Sequence, residues 1–234
     1  MTSATDVYRR TRKPADLPFN TWVARPLAAP IVAWLEPTRV TPNQVTLTAL
    51  VVAVSAAAVL VAVPGHAGLV AGGVVFTFSY VLDCADGMLA RLRGVASTVG
   101  HLLDFLMDEI KAFVLLAAVA VRLWLERGDE RWLLAGLAGL VCLASGIAIT
   151  TFQRRPEVAG AGRTTPAPSG GAPSPLRRAV GLVEGAARLV IHYPSYFLGV
   201  ALTGRVELYF VPYVTVNAIY AARALAAVAL AHGR

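Results

Sequence analysis

Residues 83–108 run DCADGMLARLRGVASTVGHLLDFLMD and contain four aspartates. Asp83 and Asp86 are three residues apart, so on a helix both carboxylates would project from one face. A second run repeats the pattern at intervals of four residues: Gly100, Asp104 and Asp108. A short turn between the two runs would make the helices antiparallel neighbours. The stretch therefore predicts four carboxylates that converge between two helices.

The residues around this stretch are those of a membrane protein. Of the 234 residues, 56% are hydrophobic and 15% are charged, whereas soluble domains have about 25% charged residues. Residues 45–63 and 133–152 contain no charged side chain, and each approaches the roughly 20 residues needed to cross a bilayer. The formal charge of +7 comes from residues scattered between apolar segments, which argues against a nucleic-acid partner.

The predicted fold is all-α and polytopic, with six transmembrane helices and an N-terminal interfacial helix. The expected helices are 45–63, 67–92, 99–124, 131–153, 182–203 and 205–231. Residues 1–40 form the predicted cytoplasmic arm, and residues 41–234 form the membrane catalytic domain. Between the fourth and fifth helices, residues 156–178 are rich in Pro, Gly, Ala and Ser, which predicts a flexible cytoplasmic loop.

Lysine and arginine collect on one side of this six-helix arrangement, as expected for cytoplasmic loops. The basic groups are the N-terminal arm, Arg91 and Arg93, the loop arginines from Arg154 onward, and Arg234. Both termini and the acids are therefore predicted to face the cytoplasm, in the inner membrane of the cell. Before the first span, residues 20–36 place tryptophans and leucines where a helix could lie along the interface, with Pro26 and Pro30 arguing against a straight one.

Acidic side chains inside a membrane bundle must be compensated by cations, protonation or an aqueous cavity. Ligands that are all oxygen suit magnesium, manganese or calcium. The absence of cysteine or histidine at ligand spacing argues against zinc. A pair of such ions could hold a diphosphate and orient an incoming oxygen.

The spacing of the stretch resembles the signature of the CDP-alcohol phosphatidyltransferase family. The matching pattern is Asp83-x2-Asp86-Gly87-x2-Ala90-Arg91-x8-Gly100-x3-Asp104-x3-Asp108. Eight residues at fixed intervals make this a specific match. The segment TPNQVT at 41–46 is also similar to the family segment that opens the first span.

What the resemblance implies is a membrane transferase that moves a phosphatidyl or phospho-alcohol group from a CDP-linked donor to an alcohol and releases CMP. It implies that Asp83, Asp86 and Asp104 bind two divalent ions, with Mg²⁺ expected and Mn²⁺ as the alternative. Asp108 would complete the metal site and act as the general base. The residues expected to bind the CDP part are Asn43, Thr46, Gly87, Ala90, Arg91, Ser97 and Gly100.

The expected acceptor residues are Arg154 and Arg155. Some family members that use phosphorylated acceptors have the pattern Lys-Ala-Arg-Ala-Glu here, whereas this chain has Gln-Arg-Arg-Pro-Glu at 153–157. The missing lysine counts against a phosphorylated acceptor. Homodimers are common in the family, although no segment here defines an interface.

Three alternatives stay open from the sequence. CDP-diacylglycerol is the expected donor, but the long basic arm before residue 41 resembles that of members using soluble CDP-alcohols, which would give their head group to a lipid or inositol-type alcohol. A divalent-cation transporter is the alternative of another class, since intramembrane acids mark ion pathways. It predicts acids spread across the bilayer, whereas these lie within one stretch. A catalytically silent CDP-lipid binder is disfavoured by the intact Asp108.

Overall fold

The computed structural model describes residues 2–155, 158 and 175–232, and every regular element in these ranges is helical. The elements, in chain order, are α1 (Ala4–Thr11), a π-helical turn (Asn20–Ala24), α2 (Arg25–Leu35), α3 (Pro42–Ala62), α4 (Gly65–Leu92), α5 (Thr98–Arg127), α6 (Arg131–Gln153), α7 (Pro175–Ile191), a 3₁₀ turn (Tyr193–Ser195), α8 (Phe197–Thr203) and α9 (Glu207–His232). The all-α prediction is confirmed for these residues.

The chain is an integral membrane protein. Four helices of the described ranges are long and apolar enough to cross a bilayer, namely α3, α4, α6 and Glu207–Leu230 of α9. The other two predicted spans, 99–124 and 182–203, correspond to α5 and to the α7–α8 region. Helix α5 has 30 residues, but acids and bases interrupt its apolar sequence. The structure thus supports four of the six predicted spans by length and composition.

The fifth predicted helix, 182–203, is not continuous. Helix α7 ends at Ile191, a 3₁₀ turn follows, and α8 begins at Phe197. Pro194 has no N–H to continue a helical ladder, and the Ser195 hydroxyl donates to the His192 carbonyl at 2.8 Å. The loop predicted over 156–178 lies mostly outside the described residues, except Val158 and its last four residues, which belong to α7.

Helix α3 is the centre of the bundle, because it packs along both α4 and α5. One hydrophobic cluster joins α3 to α6, α8 and α9, and a second joins the N-terminal arm to α3 and α4. Within the described residues, the backbones of α4 and α5 hardly approach one another. The expectation of neighbouring helices is therefore corrected: α4 and α5 share a turn and a partner helix, and the space between them is left for side chains and cavities.

The N-terminal arm packs on the C-terminal half of α4 through α1, the π-helical turn and α2. The Tyr8 hydroxyl donates to the Thr21 carbonyl at 3.0 Å, and Val32 is fully buried in the second cluster. The outer side is apolar as well, with Trp22 79% and Trp34 67% exposed. The predicted irregularity falls at the π-helical turn, and Pro30 is accommodated inside α2.

Two arginines stabilise the ends of helices by donating hydrogen bonds to backbone carbonyls. Arg93 donates to the carbonyls of α2 and its C-terminal connection, including Leu35 at 2.6 Å and Thr38 at 3.0 Å. At the far end of the bundle, Arg122 is 2% exposed. Its donors satisfy the turn from α3 to α4 through the carbonyls of Leu60 (2.7 Å), Val63 (3.2 Å) and Gly65 (2.5 Å).

Replacing Arg122 with Met is expected to destabilise the fold without changing the chemistry. The change removes a buried cation that donates to three backbone carbonyls and pairs with the partly exposed Glu126, and a buried acceptor left without its partner costs about 1–3 kcal/mol. Arg122 lies 14 residues beyond Asp108 on α5, about 21 Å along the helix axis. The measurement is the midpoint of thermal unfolding in detergent, together with activity per folded molecule.

Arg127→Met is the matched control, since Arg127 lies on the same helix with its side chain 57% exposed and pairs with Glu207. Exposed pairs are worth about 1 kcal/mol or less. Equal losses of stability in the two variants would contradict the role assigned to Arg122.

Candidate active site

The turn between α4 and α5 sets the position of the acids. Helix α4 ends at Leu92, and Gly94 adopts a φ of +67°, a left-handed conformation that suits glycine. Ser97 then caps α5 by accepting from the Gly100 amide at 3.0 Å, which satisfies one of the free N–H groups at the helix start. Ser97, expected to bind the donor, thus also has a structural role.

Three of the four aspartates converge. Carboxylate oxygens of Asp83, Asp104 and Asp108 all lie within 4.8 Å of one another. Asp83 comes from α4 and the other two come from α5, so the group bridges the gap between the helices. The Asp83 side chain is 7% exposed and that of Asp108 is 52% exposed. One end of the group is therefore buried, and the other is open to a substrate.

The donor atoms of this group fit a divalent cation. Three carboxylates supply only hard oxygen ligands. Within the described part of the chain, Oδ1 of Asp83 is buried without a hydrogen-bond partner, which is costly for a charged oxygen unless a cation completes its surroundings. Lys111 reaches across from α5 and pairs with Asp83 and, at 3.0 Å, with Asp108. This lysine offsets part of the negative charge of the group.

Asp86 lies apart from the group of three. It is 4% exposed, and its carboxylate accepts a hydrogen bond from the Thr46 hydroxyl of α3 at 2.5 Å. Thr46 is held in the first turn of α3 by a capping box, in which Thr41 and Gln44 exchange hydrogen bonds of 3.3 and 2.9 Å. The TPNQVT segment thus orients Asp86 as well as opening the span.

A cavity of about 710 Å³ lies beside the acids, between the N-terminal arm, the start of α3, the C-terminal half of α4 and the start of α5. All four aspartates line it. So do all seven residues expected to bind the donor: Asn43, Thr46, Gly87, Ala90, Arg91, Ser97 and Gly100. Arg91 donates Nε–H to the Thr11 carbonyl at 3.2 Å, and its guanidinium lies over Gly87. The structure thus places these residues together, and donor binding stays a prediction for each of them. We call this space the donor cavity.

A second cavity of about 420 Å³ lies on the other side of the acids, among α4, α5, α6, the 3₁₀ turn and α9. Its polar lining includes Thr150, Arg154, His192 and Asn217. Arg154, expected to bind the acceptor, lines this cavity, whereas Arg155 lines neither of the two cavities. We call this space the acceptor cavity.

Asp83, Asp108 and Tyr80 line both cavities and so stand at the boundary between them. The Tyr80 hydroxyl donates to Oδ1 of Asn20 at 2.6 Å and lies 2.9 Å from Nε2 of His192. Sequence reasoning missed Tyr80. The available signal was its position three residues before Asp83, which puts its hydroxyl on the same helical face in an apolar run.

Comparisons with known proteins agree with this geometry. A family model described as CDP-alcohol phosphatidyltransferase matches residues 39–231. A phosphatidylinositol phosphate synthase of Corynebacterium glutamicum is 28% identical over 181 residues, which cover 77% of this chain and 72% of the relative.

Proposed function

The chain belongs to the CDP-alcohol phosphatidyltransferase family, and from that premise we propose its substrates, its metal ions and its orientation. The resemblance found in the sequence is thereby confirmed. The protein is a membrane phosphotransferase of phospholipid synthesis that moves a phosphatidyl group from a CDP-linked donor to an alcohol. This assignment favours the transferase over a cation transporter. CDP-diacylglycerol is the donor supported by the family and by the relative, and a soluble CDP-alcohol is the alternative.

The observation that best supports the proposal is the position of Asp83 and Asp108 at the boundary of the two cavities. A donor diphosphate on one side and an acceptor hydroxyl on the other would meet there. In the reaction, the acceptor oxygen forms a bond to the phosphatidyl phosphorus, the bond from that phosphorus to the CMP oxygen breaks, and the hydroxyl proton passes to a base. Asp108 is placed for the base role because its side chain is half exposed and adjoins both spaces.

The family is divalent-metal dependent, and the acid group is compatible with metal binding. We propose that Asp83, Asp104 and Asp108 hold the first of two Mg²⁺ ions, and that Asp86 helps to hold the second. When bound, the ions would stabilise negative charge on the diphosphate and on the departing CMP. Mn²⁺ is the alternative ion, since it accepts the same oxygen ligands.

We place the protein in the cell inner membrane with six spans, both termini and the acids facing the cytoplasm. Helix α5, at 30 residues, is about 45 Å long and exceeds the roughly 30 Å hydrocarbon core, so its acidic first turns can lie at the surface while its apolar remainder spans. The exposed tryptophans of the arm suit the headgroup region. A homodimer stays a prediction.

The acceptor is proposed to be a small polyol, and inositol phosphate is the first compound to test. The relative is a phosphatidylinositol phosphate synthase. The acceptor cavity offers hydroxyl, amide and imidazole groups, with Arg154 as a cation for an acceptor phosphate. The missing lysine of the basic pattern still argues for an unphosphorylated polyol, so inositol belongs in the same experiment, and glycerol phosphate is the second phosphorylated acceptor to compare.

The function is tested by incubating purified protein in mixed micelles with Mg²⁺, labelled CDP-diacylglycerol and each acceptor. We expect one CMP released per lipid product, with the product identified by mass. CMP release only from a soluble CDP-alcohol and diacylglycerol would reverse the roles of donor and acceptor. No CMP from any CDP-linked donor would contradict the proposed function.

Arg154→Gln is expected to raise the KM for a phosphorylated acceptor by about tenfold or more, since hydrogen bonds to charged groups are worth about 1.5–3 kcal/mol. The KM for the donor should change little. Arg155→Gln is the matched control, because the neighbouring arginine lines neither cavity. An equal effect of the two changes, or no effect of Arg154→Gln with the best acceptor, would contradict the role of Arg154 as a phosphate ligand.

A further inference from the structure

The N-terminal arm supplies part of the wall of the donor cavity. Lys13, Asn20 and Arg25 line it together with the residues of α3, α4 and α5. These three residues lie before residue 39, where the family match begins. The arm is fixed in place by polar contacts to α4, namely Arg91 to the Thr11 carbonyl and Tyr80 to Asn20. A part of the cavity therefore comes from a segment that the family match does not cover.

Arg25 is the most unusual residue of this segment, because it is a buried guanidinium at the start of a helix. Its side chain is 6% exposed. Nε–H donates to Oδ2 of Asp16, and Asp16 also accepts from the Asn20 side-chain amide at 3.0 Å and from the Leu17 amide at 2.9 Å. Burial raises the pKa of Asp16, but the hydrogen bonds from Asn20 and Arg25 and the charge of Arg25 lower it below its ordinary value. Asp16 is thus an ionised and well-satisfied anchor that fixes the orientation of the guanidinium.

The anchor leaves one edge of Arg25 without a partner. Nη1 is buried and has no hydrogen-bond partner among the residues that the structure describes, although a guanidinium has five N–H donors in a rigid fork. A buried, charged donor without a partner is costly. Arg91 lines the same cavity, and its one hydrogen bond to protein is through Nε among the residues that the structure describes. Two guanidinium groups with free donors on one cavity call for an anionic ligand with several oxygens.

We propose that Arg25 is a binding residue for the donor and that its free edge contacts the diphosphate of the CDP-linked substrate. Asp16 is the positioning residue that holds the guanidinium toward the cavity. The inference rests on the proposed function, since it assigns a ligand to the same cavity. It adds the N-terminal arm to the donor site, so that the diphosphate would contact both the arginines and the ions held by the carboxylates that line the same cavity.

The test is steady-state kinetics of Arg25→Gln in micelles of neutral detergent, with the donor as the one phospholipid present. We expect the KM for the donor to rise about 10- to 100-fold, since one charge-assisted hydrogen bond is worth about 1.5–3 kcal/mol. The acceptor KM and kcat should stay within about threefold, because binding lost equally from ground and transition states raises KM alone. Arg25→Lys should recover part of the affinity, because it keeps the charge and loses the fork. Arg10→Gln, an exposed arginine of α1, is the control and should match wild type.

A second variant distinguishes donor binding by Arg25 from a purely structural role. Asp16→Leu with Arg25→Met replaces the buried pair by apolar side chains, a change that often preserves stability. We expect its thermal midpoint to approach that of wild type while its donor KM stays raised. A donor KM that returns to the wild-type value in this double variant would overturn the proposal. So would an unchanged donor KM in Arg25→Gln.

The experiment also distinguishes donor binding by Arg25 from two other outcomes. In one, Arg25 binds a lipid headgroup; in the other, the proposed transferase function is wrong. If the rise in KM appears only after anionic phospholipid is added to the micelles, Arg25 contacts a lipid headgroup, and the proposal is overturned. If wild-type protein releases no CMP from any CDP-linked donor, the proposed function itself fails. In that case CDP binding to wild type and Arg25→Gln, measured by calorimetry with Mg²⁺, still decides the inference, because equal affinities would contradict it and a weaker variant would support it.

Discussion

Replacing Asp108 with Asn is expected to lower the rate of transfer by about three orders of magnitude, the middle of the range for a general base. The amide keeps the shape of the side chain but cannot take the acceptor proton. Lys111 keeps its pairing with Asp83, so the fold should be retained. Donor affinity, measured by calorimetry with CDP, should fall far less than kcat, because the metal group keeps Asp83 and Asp104.

The control for this change is Asp129→Asn, an exposed aspartate in the turn between α5 and α6 that accepts from the Arg131 amide. It should leave the transfer rate within about twofold, as expected for a surface substitution. If Asp108→Asn retains turnover within tenfold of wild type, Asp108 is not the base.

Asp83→Asn is expected to abolish activity and to weaken metal binding together. Asp83 has the most buried side chain of the three acids. Its Oδ1 has no hydrogen-bond partner among the described residues. Even residues that only support metal ligands change affinity by about 10- to 100-fold, so loss of a ligand should weaken Mn²⁺ binding by at least about 100-fold. The change also removes one of the two carboxylates that pair with the buried Lys111, which should lower the thermal midpoint.

The measurements are Mn²⁺ affinity by electron paramagnetic resonance, activity, and the midpoint of unfolding. The comparison that matters is with Asp108→Asn, which should lose activity but weaken Mn²⁺ binding less than Asp83→Asn does, because the Asp108 side chain is the exposed member of the group. Unchanged Mn²⁺ affinity in Asp83→Asn would remove Asp83 from the metal site, whatever its effect on stability.

The spacing of the acids predicted their convergence only in part. Residues at i and i+3 on a helix share a face, but they differ by about 60° in direction. That difference is enough for Asp83 to point toward α5 and for Asp86 to pair with Thr46 of α3. The three-residue spacing correctly predicted that Asp83 and Asp86 lie on one side of α4. It could not predict which helix each side chain contacts, because that depends on how α3 packs against α4 and α5.

The donor cavity was more predictable than the acceptor cavity. Its expected residues lie at the capped starts of α3 and α5 and at the end of α4. The turn at Gly94 brings the end of α4 next to the start of α5. The acceptor cavity depends on the break at Pro194 and on side chains from α6 and α9, and no short motif in the sequence relates these elements. Arg25 and Tyr80 were missed for the same reason, since their roles arise from contacts between the arm and α4.

The starts of the first four predicted helices lie within three residues of the observed starts. The fourth begins at Arg131 as expected, whereas the first begins at Pro42, three residues before the predicted start, because Thr41 caps the helix there. By contrast, α1 was not predicted, because eight residues with a polar composition give no span signal. Its stability comes from Val7, which is fully buried against the arm and α4.

The central claim is that carboxylates from α4 and α5 together hold divalent ions at the boundary of the two cavities. The most direct test is a titration of metal-free wild-type protein with Mn²⁺ in detergent, followed in parallel by electron paramagnetic resonance and by CMP release. We predict no turnover without divalent ions, and a rise of activity that follows occupancy of the bound Mn²⁺, with Mg²⁺ competing for the same sites. Full CMP release after complete removal of divalent ions would contradict the claim.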